Sequence, residues 1–149
     1  MDNKQINIGL FGFGTVGKGL YDVLKKIQPE NVSIVKVCVR NVAKHSAEAP
    51  ELEFTSNADD IFTDSRINFI VELIDDAEAA YGIVKRALQA KIPVVSGNKK
   101  MLARHIQEMI QLQRDNDTAL LYDASACGSI PVIRNLEEYY DNDLLISVK

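Results

Sequence analysis

Ile8-Gly9-Leu10-Phe11-Gly12-Phe13-Gly14-Thr15-Val16-Gly17-Lys18-Gly19 is the stretch that decides the fold. An apolar run, Ile6 to Phe11, leads into Gly12-x-Gly14-x-x-Gly17. Val16, Leu20, Val23, Leu24 and Ile27 then recur at helical spacing. A strand, a glycine turn and a helix are the context that a dinucleotide-binding fingerprint needs. Gly12 allows the tight turn out of the strand. Gly14 removes a side chain so that backbone can approach a pyrophosphate. Gly17 lets helix and strand pack closely. The free N–H groups of the helix start, at Thr15 and Val16, and the positive end of its dipole then favour phosphate. The plainer alternative is a strand–turn–helix whose glycines serve packing and whose Thr15 is only a cap.

Working outward, β-like runs alternate with helical patterns. Val32 to Val39 is rich in β-branched residues, and Arg40 to Pro50 follows as a polar loop or short helix. Leu52 to Phe54 reads as a small strand, and Ser56 to Asp60 as a helix start with acids in its first turn. Ile67 to Leu73 is a strongly apolar strand. Ala80, Ile83, Val84, Ala87 and Leu88 line one face of the next helix. Ile92 to Val95 is a short strand, and Leu102, Ile106, Met109 and Ile110 mark a helix from about Asn98. Thr118 to Tyr122 reads as a strand and Ser129 to Tyr140 as a helix, with Pro131 in its first turn. Near-continuous apolar strands suit a sheet covered on both faces. The expected fold is therefore α/β and Rossmann-like: a doubly wound, mostly parallel sheet with helices on both faces.

The chain has 149 residues, about one domain, and a formal net charge of -4 with no basic block. Nucleic acid is not an expected partner. No apolar run approaches the ~20 residues of a membrane span, and the first residues are not a signal peptide. Cys38 and Cys127 lie far apart without metal-ligand spacing, and His45 and His105 are isolated. Both cysteines read as reduced thiols of a cytoplasmic protein.

Five segments in order, G-L-F-G-F-G-T-V-G, V-C-V-R, F-I-V-E-L-I, V-V-S-G-N-K-K-M-L-A and Y-D-A-S-A-C-G-S-I-P-V-I-R, resemble the N-terminal half of homoserine dehydrogenase. The N-K-x-x-L-A and A-S-x-x-G-x-I-P stretches, at this separation, are the specific ones. The resemblance implies an oxidoreductase interconverting L-homoserine and L-aspartate 4-semialdehyde with NADP or NAD, in the biosynthesis of threonine, methionine and isoleucine. It also implies that a following domain supplies dimerisation contacts, giving a homodimer or higher oligomer, and most catalytic residues. The strand-like 143–149 tail reads as the start of that domain, or as an edge strand of the same sheet. The expected division is 1–142, nucleotide-binding, and 143–149, start of a dimerisation and substrate domain. A chain of this extent is expected to be inactive alone.

Several residues carry particular expectations. Arg40 ends the second strand, where an NAD-preferring domain places an acid on the ribose hydroxyls. An arginine there, with Lys44 behind it, suits a 2′-phosphate; otherwise it is a solvated surface side chain. Ser96, Asn98 and Gly128 are expected beside the cofactor. By the resemblance, Lys99 belongs to the active site, where it binds substrate or transfers a proton; the bland reading is a first-turn surface lysine. The family commonly has two glycines where this chain has Asp75-Asp76. These acids would repel phosphate, reshape the loop or cap the next helix, and capping is the favoured reading. Glu72 is either buried and paired or facing the loop. Asp123 stands where some members hold a monovalent cation. Cys127 lacks a local histidine to activate it. Competing readings are the cofactor domain of another amino-acid or sugar dehydrogenase, and a non-catalytic NAD(P)-sensing module.

Overall fold

The computed structural model describes residues 5–122. Eleven elements follow in order: β1 (Ile6–Phe11), α1 (Thr15–Ile27), β2 (Val32–Cys38), α2 (Val42–Glu48), β3 (Phe54–Thr55), α3 (Asp59–Phe62), β4 (Phe69–Glu72), α4 (Ala77–Gln89), β5 (Val94–Ser96), α5 (Lys99–Asn116) and β6 (Leu120–Leu121). The strands form one sheet in the order β3-β2-β1-β4-β5-β6. Every pairing is parallel. This is the doubly wound order, with the chain reversing direction across the sheet between β1 and β4.

Two apolar cores lie on opposite faces of the sheet. One joins Ile8, Leu10, Val37 and Val71 to Phe13 and Tyr21, with Leu20 and Leu24 of α1 half-buried against it. The other joins Phe11, Ile70 and Val94 to Ile61 of α3, Ala80, Val84, Ala87 and Leu88 of α4, and Met101, Leu102 and Met109 of α5. Neighbouring residues Leu10 and Phe11 serve opposite cores, as the period-two pleat requires. Because both faces are covered, the strands carry no polar alternation.

The strands are shorter than the apolar runs suggest. The run Ile67 to Leu73 contributes Phe69–Glu72, and of Ile92 to Val95 only Val94 and Val95 are strand, with Ser96 ending it. The small strand lies at Phe54–Thr55 rather than Leu52 to Phe54, because pairing with Val37 and Cys38 sets its register. The apolar repeat after Gly14 marks α1 correctly, but of its residues only Leu20 and Leu24 pack against the core. Gly17 and Tyr21 are the buried positions. Val16, Val23 and Ile27 are 65%, 52% and 67% exposed. The helix turns toward the sheet the side on which Gly17 permits close approach. The expected helix Ser129 to Tyr140 and the 143–149 segment lie outside the described residues.

Candidate functional site

At the carboxyl ends of β1, β2 and β4 lies an open cleft of about 990 Å³. Its lining includes Gly12, Phe13, Gly14, Thr15 and Lys18 from the glycine turn and α1, and Val39, Arg40, Asn41 and Lys44 after β2. Leu73, Ile74, Asp75 and Asp76 line it after β4. This is the crevice at the topological switch point, where open α/β sheets bind ligands.

The three glycines do separate jobs. Gly12 has φ +95°, and a Cβ there would meet the Leu73 carbonyl oxygen at 2.8 Å. Only glycine takes that backbone angle without strain. A Cβ on Gly17 would meet the Gly12 carbonyl oxygen at 2.2 Å. A Cβ on Gly14 would meet nothing within 4 Å, and Gly14 lines the cleft. The helix packs on the turn at Gly17, and the turn leaves space open at Gly14.

Gly14 is also the N-cap of α1, with no side-chain hydrogen bond to the helix start and no acid in the first turn. The starts of the other longer helices are differently served. Asn41 caps α2, Asp76 caps α4 and Asn98 caps α5 through side-chain oxygens. The α1 N-terminus therefore keeps its donors for an anion in the cleft. Thr15 is exposed and lines the cleft, whereas the Val16 side chain is exposed outside the lining.

Arg40 and Lys44 are exposed cations on the cleft's β2 side. The Lys44 N–H donates to Asn41 Oδ1 at 3.0 Å, fixing the start of α2. His45 packs edge-on against Phe13, with ring centroids 5.6 Å apart, and closes the wall behind them. Lys18, Asn41 and His45 line the cleft without having been singled out from the sequence. For Lys18 the signal was adjacency to Gly17. His45 had none, since its place depends on aromatic packing with Phe13 and Phe54.

Asp76 accepts hydrogen bonds from the backbone N–H groups of Glu78 (3.0 Å) and Ala79 (2.9 Å). The favoured reading of capping thus holds for the second acid of the pair. Asp75 is exposed and lines the cleft.

Ser96 and Asn98 turn inward, and neither lines the cleft. Glu72 is fully buried, and its carboxylate accepts from the Ile74 N–H at 2.8 Å and from Ser96 Oγ at 2.5 Å. Burial pushes this carboxyl above the ordinary range, opposed first by the Ser96 bond and then by the Ile74 bond. Ser96 Oγ in turn accepts from the Asn98 N–H at 3.2 Å. Asn98 Nδ2 donates to the Ile74 carbonyl at 3.0 Å, and Oδ1 accepts from the Met101 N–H at 2.9 Å. Lys99 is exposed as the first residue of α5, outside the cleft lining. Gly128, Cys127 and the expected cation residue Asp123 lie outside the described residues. Cys38 is partly buried, and burial followed by the nearby Asp60 pushes its thiol upward. No described helix is long and apolar enough to cross a membrane.

Comparison with known proteins gives this arrangement relatives. The family model described as homoserine dehydrogenase, NAD binding domain, matches residues 12–123. A homoserine dehydrogenase of Lactococcus lactis subsp. lactis is 34% identical over 148 residues, covering 93% of this chain and 35% of that protein. The crystal structure of a homoserine dehydrogenase from Thiobacillus denitrificans superposes with a TM-score of 0.82 at 34% identity, over 91% of this chain and 33% of that one. A hyperthermophilic archaeal homoserine dehydrogenase mutant in complex with NADPH has the same fold, with a TM-score of 0.76 at 20% identity over 91% of this chain and 49% of that one. The chain spans about a third of the length of the curated relatives it matches.

Proposed function

Because the chain belongs to the homoserine dehydrogenase family, through its NAD-binding domain, we propose that it serves as the cofactor-holding part of an enzyme interconverting L-homoserine and L-aspartate 4-semialdehyde. The observation that carries this reading is the uncapped start of α1, facing an open cleft at the switch point while α2, α4 and α5 are capped by side chains.

The residues fit a nicotinamide dinucleotide. The pyrophosphate belongs over Gly14 and Thr15, at the free N–H groups of α1. The adenosine half then lies toward β2, where Arg40 and Lys44 are placed for a 2′-phosphate; this favours NADP over NAD. The nicotinamide half extends the other way, across the ends of β4 and β5. When bound, the cofactor supplies the hydride chemistry, and the protein supplies orientation and charge. Lys99, the first residue of α5 just beyond β5, stands on the side where such a substrate would be received. Its ammonium is the group proposed to stabilise or protonate the developing alkoxide.

The same proposal divides the chain into a nucleotide-binding part, 1–142, and the start of a dimerisation and substrate domain, 143–149. It includes a homodimeric or larger cytoplasmic enzyme of threonine, methionine and isoleucine biosynthesis, and a monovalent cation at Asp123 on the family resemblance alone. Titrating the 149-residue chain with NADPH and NADH by calorimetry tests the cofactor assignment. One-to-one binding without homoserine oxidation is expected, and absence of binding overturns it. In an enzyme completed by a family substrate domain, Lys99→Ala is expected to lower turnover about a hundredfold with nucleotide affinity retained. Unchanged turnover would remove Lys99 from the mechanism.

A further inference from the structure

Glu72 is an unusual residue to find at the centre of this sheet. It ends β4, is fully buried, and has two neutral donors and no cation as partners among the described residues. An apolar side chain would fill the same space without desolvating a carboxylate. What an apolar side chain lacks is two separate acceptor atoms, and here those atoms serve two different loops. Oε1 takes the Ile74 N–H of the β4–α4 loop. Oε2 takes the Ser96 hydroxyl at the end of β5, and that hydroxyl takes the Asn98 N–H at the start of α5. Two further bonds close the bracket. The Gly97 N–H donates to the Glu72 carbonyl at 2.9 Å, and Asn98 Nδ2 donates to the Ile74 carbonyl.

These two loops are placed where the nicotinamide half of a dinucleotide would lie. The sheet order sets β2 on one side of β1 and β4, then β5, on the other. A ligand with its pyrophosphate on α1 and its adenosine end at Arg40 must extend its second half over β4 and β5. Leu73 and Ile74, tied from beneath by Glu72, form the cleft wall on that side.

We propose that Glu72 is a positioning residue for the nicotinamide half of the bound dinucleotide, holding the β4–α4 and β5–α5 loops in register through Ile74, Ser96 and Asn98. The inference rests on the cofactor-binding reading above. It predicts that loss of the carboxylate affects one half of the ligand and spares the other.

The test compares NADPH with ADP, which carries only the adenosine and pyrophosphate, by calorimetry on the 149-residue chain. Glu72→Met is expected to weaken NADPH about tenfold, the scale of one lost anchor, with ADP affinity held within about twofold. Glu72→Gln keeps the acceptor for Ile74 and a polar neighbour for Ser96, and is expected to recover most of the NADPH affinity. Equal loss for both ligands would mean a general structural role and overturn the proposal, as would no loss for either. If Glu72→Met does not fold, Ser96→Ala breaks the middle of the chain of bonds and must show the same NADPH-selective loss; equal loss or none overturns the proposal. A wild-type chain that binds neither nucleotide refutes the cofactor reading instead, so the two failures are distinguishable.

Discussion

Replacing Gly17 with alanine separates packing from ligand binding at the glycine turn. The added Cβ would stand 2.2 Å from the Gly12 carbonyl oxygen and 3.1 Å from its carbon. Ordinary contact begins at 3.4 Å, so the first turn of α1 must back away by roughly 1 Å. The obstacle is backbone, held by the Gly12 N–H bond to the Cys38 carbonyl at 3.0 Å, so no side chain can rotate aside. Overpacking of this kind costs about 1–3 kcal/mol, and alanine returns about 1 kcal/mol through its better helix propensity. The net loss of up to about 2 kcal/mol corresponds to a fall in melting temperature of up to roughly 6 °C. The shift also carries the free N–H groups of α1 away from the turn. Hydrogen bonds to a charged partner are worth about 1.5–3 kcal/mol each, so NADPH should bind at least about tenfold more weakly. Gly14→Ala is the control. Its Cβ meets no protein atom within 4 Å, and its backbone angles, φ -80° and ψ -156°, are open to alanine. It should cost less than about 1 kcal/mol of stability, as the loss of a glycine N-cap, yet weaken NADPH as strongly by occupying the cleft. Thermal melts and calorimetric titrations of both variants read the contrast. A Gly17→Ala protein that melts with the wild type and binds NADPH within about twofold would refute the close-packing argument.

Other outcomes follow from the cleft and its supports. Arg40→Ala should weaken NADPH about tenfold while NADH changes less than about twofold, the difference between a charge-assisted 2′-phosphate contact and none; equal loss would sink that contact. Asp76→Ala removes the α4 cap and should cost about 1 kcal/mol in a urea melt, whereas Asp75→Ala should leave stability alone. Asp75 lines the cleft, so its removal should tighten NADPH severalfold at low salt, an effect that fades as salt screens it; affinity indifferent to Asp75 at every ionic strength would place its charge away from the ligand. Glu72 makes stability depend on pH. Its folded carboxyl titrates above the unfolded one, so between the two values the folded state holds the extra proton and stability falls as pH rises. Glu72→Gln lacks that loss, and from about pH 4.3 upward the stability difference should shift toward the variant. A difference independent of pH between 4 and 7 would show that the buried carboxyl is not perturbed.

Local signals carried the fold a long way. Gly12-x-Gly14-x-x-Gly17 between an apolar run and a helical repeat placed β1, the turn and α1, because each step depends on neighbouring residues alone. Asn98 and Asp76 announced the starts of α5 and α4 for the same reason, since a cap bonds to N–H groups two or three residues on. The element ends at β4, β5 and β3 were less legible, because register against a partner strand trims an apolar run. The hydrophobic repeat of α1 did not say which of its residues pack on the sheet: Leu20 and Leu24 do, whereas Val16, Val23 and Ile27 stay exposed, with Gly17 set close on Gly12.

The sequence by itself determined the class of fold, the glycine cradle and the family, all of which reside in short, contiguous patterns. Tertiary structure decided what those patterns cannot encode. It assigned Gly14 to open space and Gly17 to backbone contact, although both are glycines of one motif. It turned Ser96 and Asn98 from the cleft toward Glu72, 24 and 26 positions back in the chain. The physical reason is that a buried carboxylate must find donors wherever the fold brings them: one, the Ile74 N–H, lies two residues on, but the other, the Ser96 hydroxyl, comes from the end of the neighbouring strand.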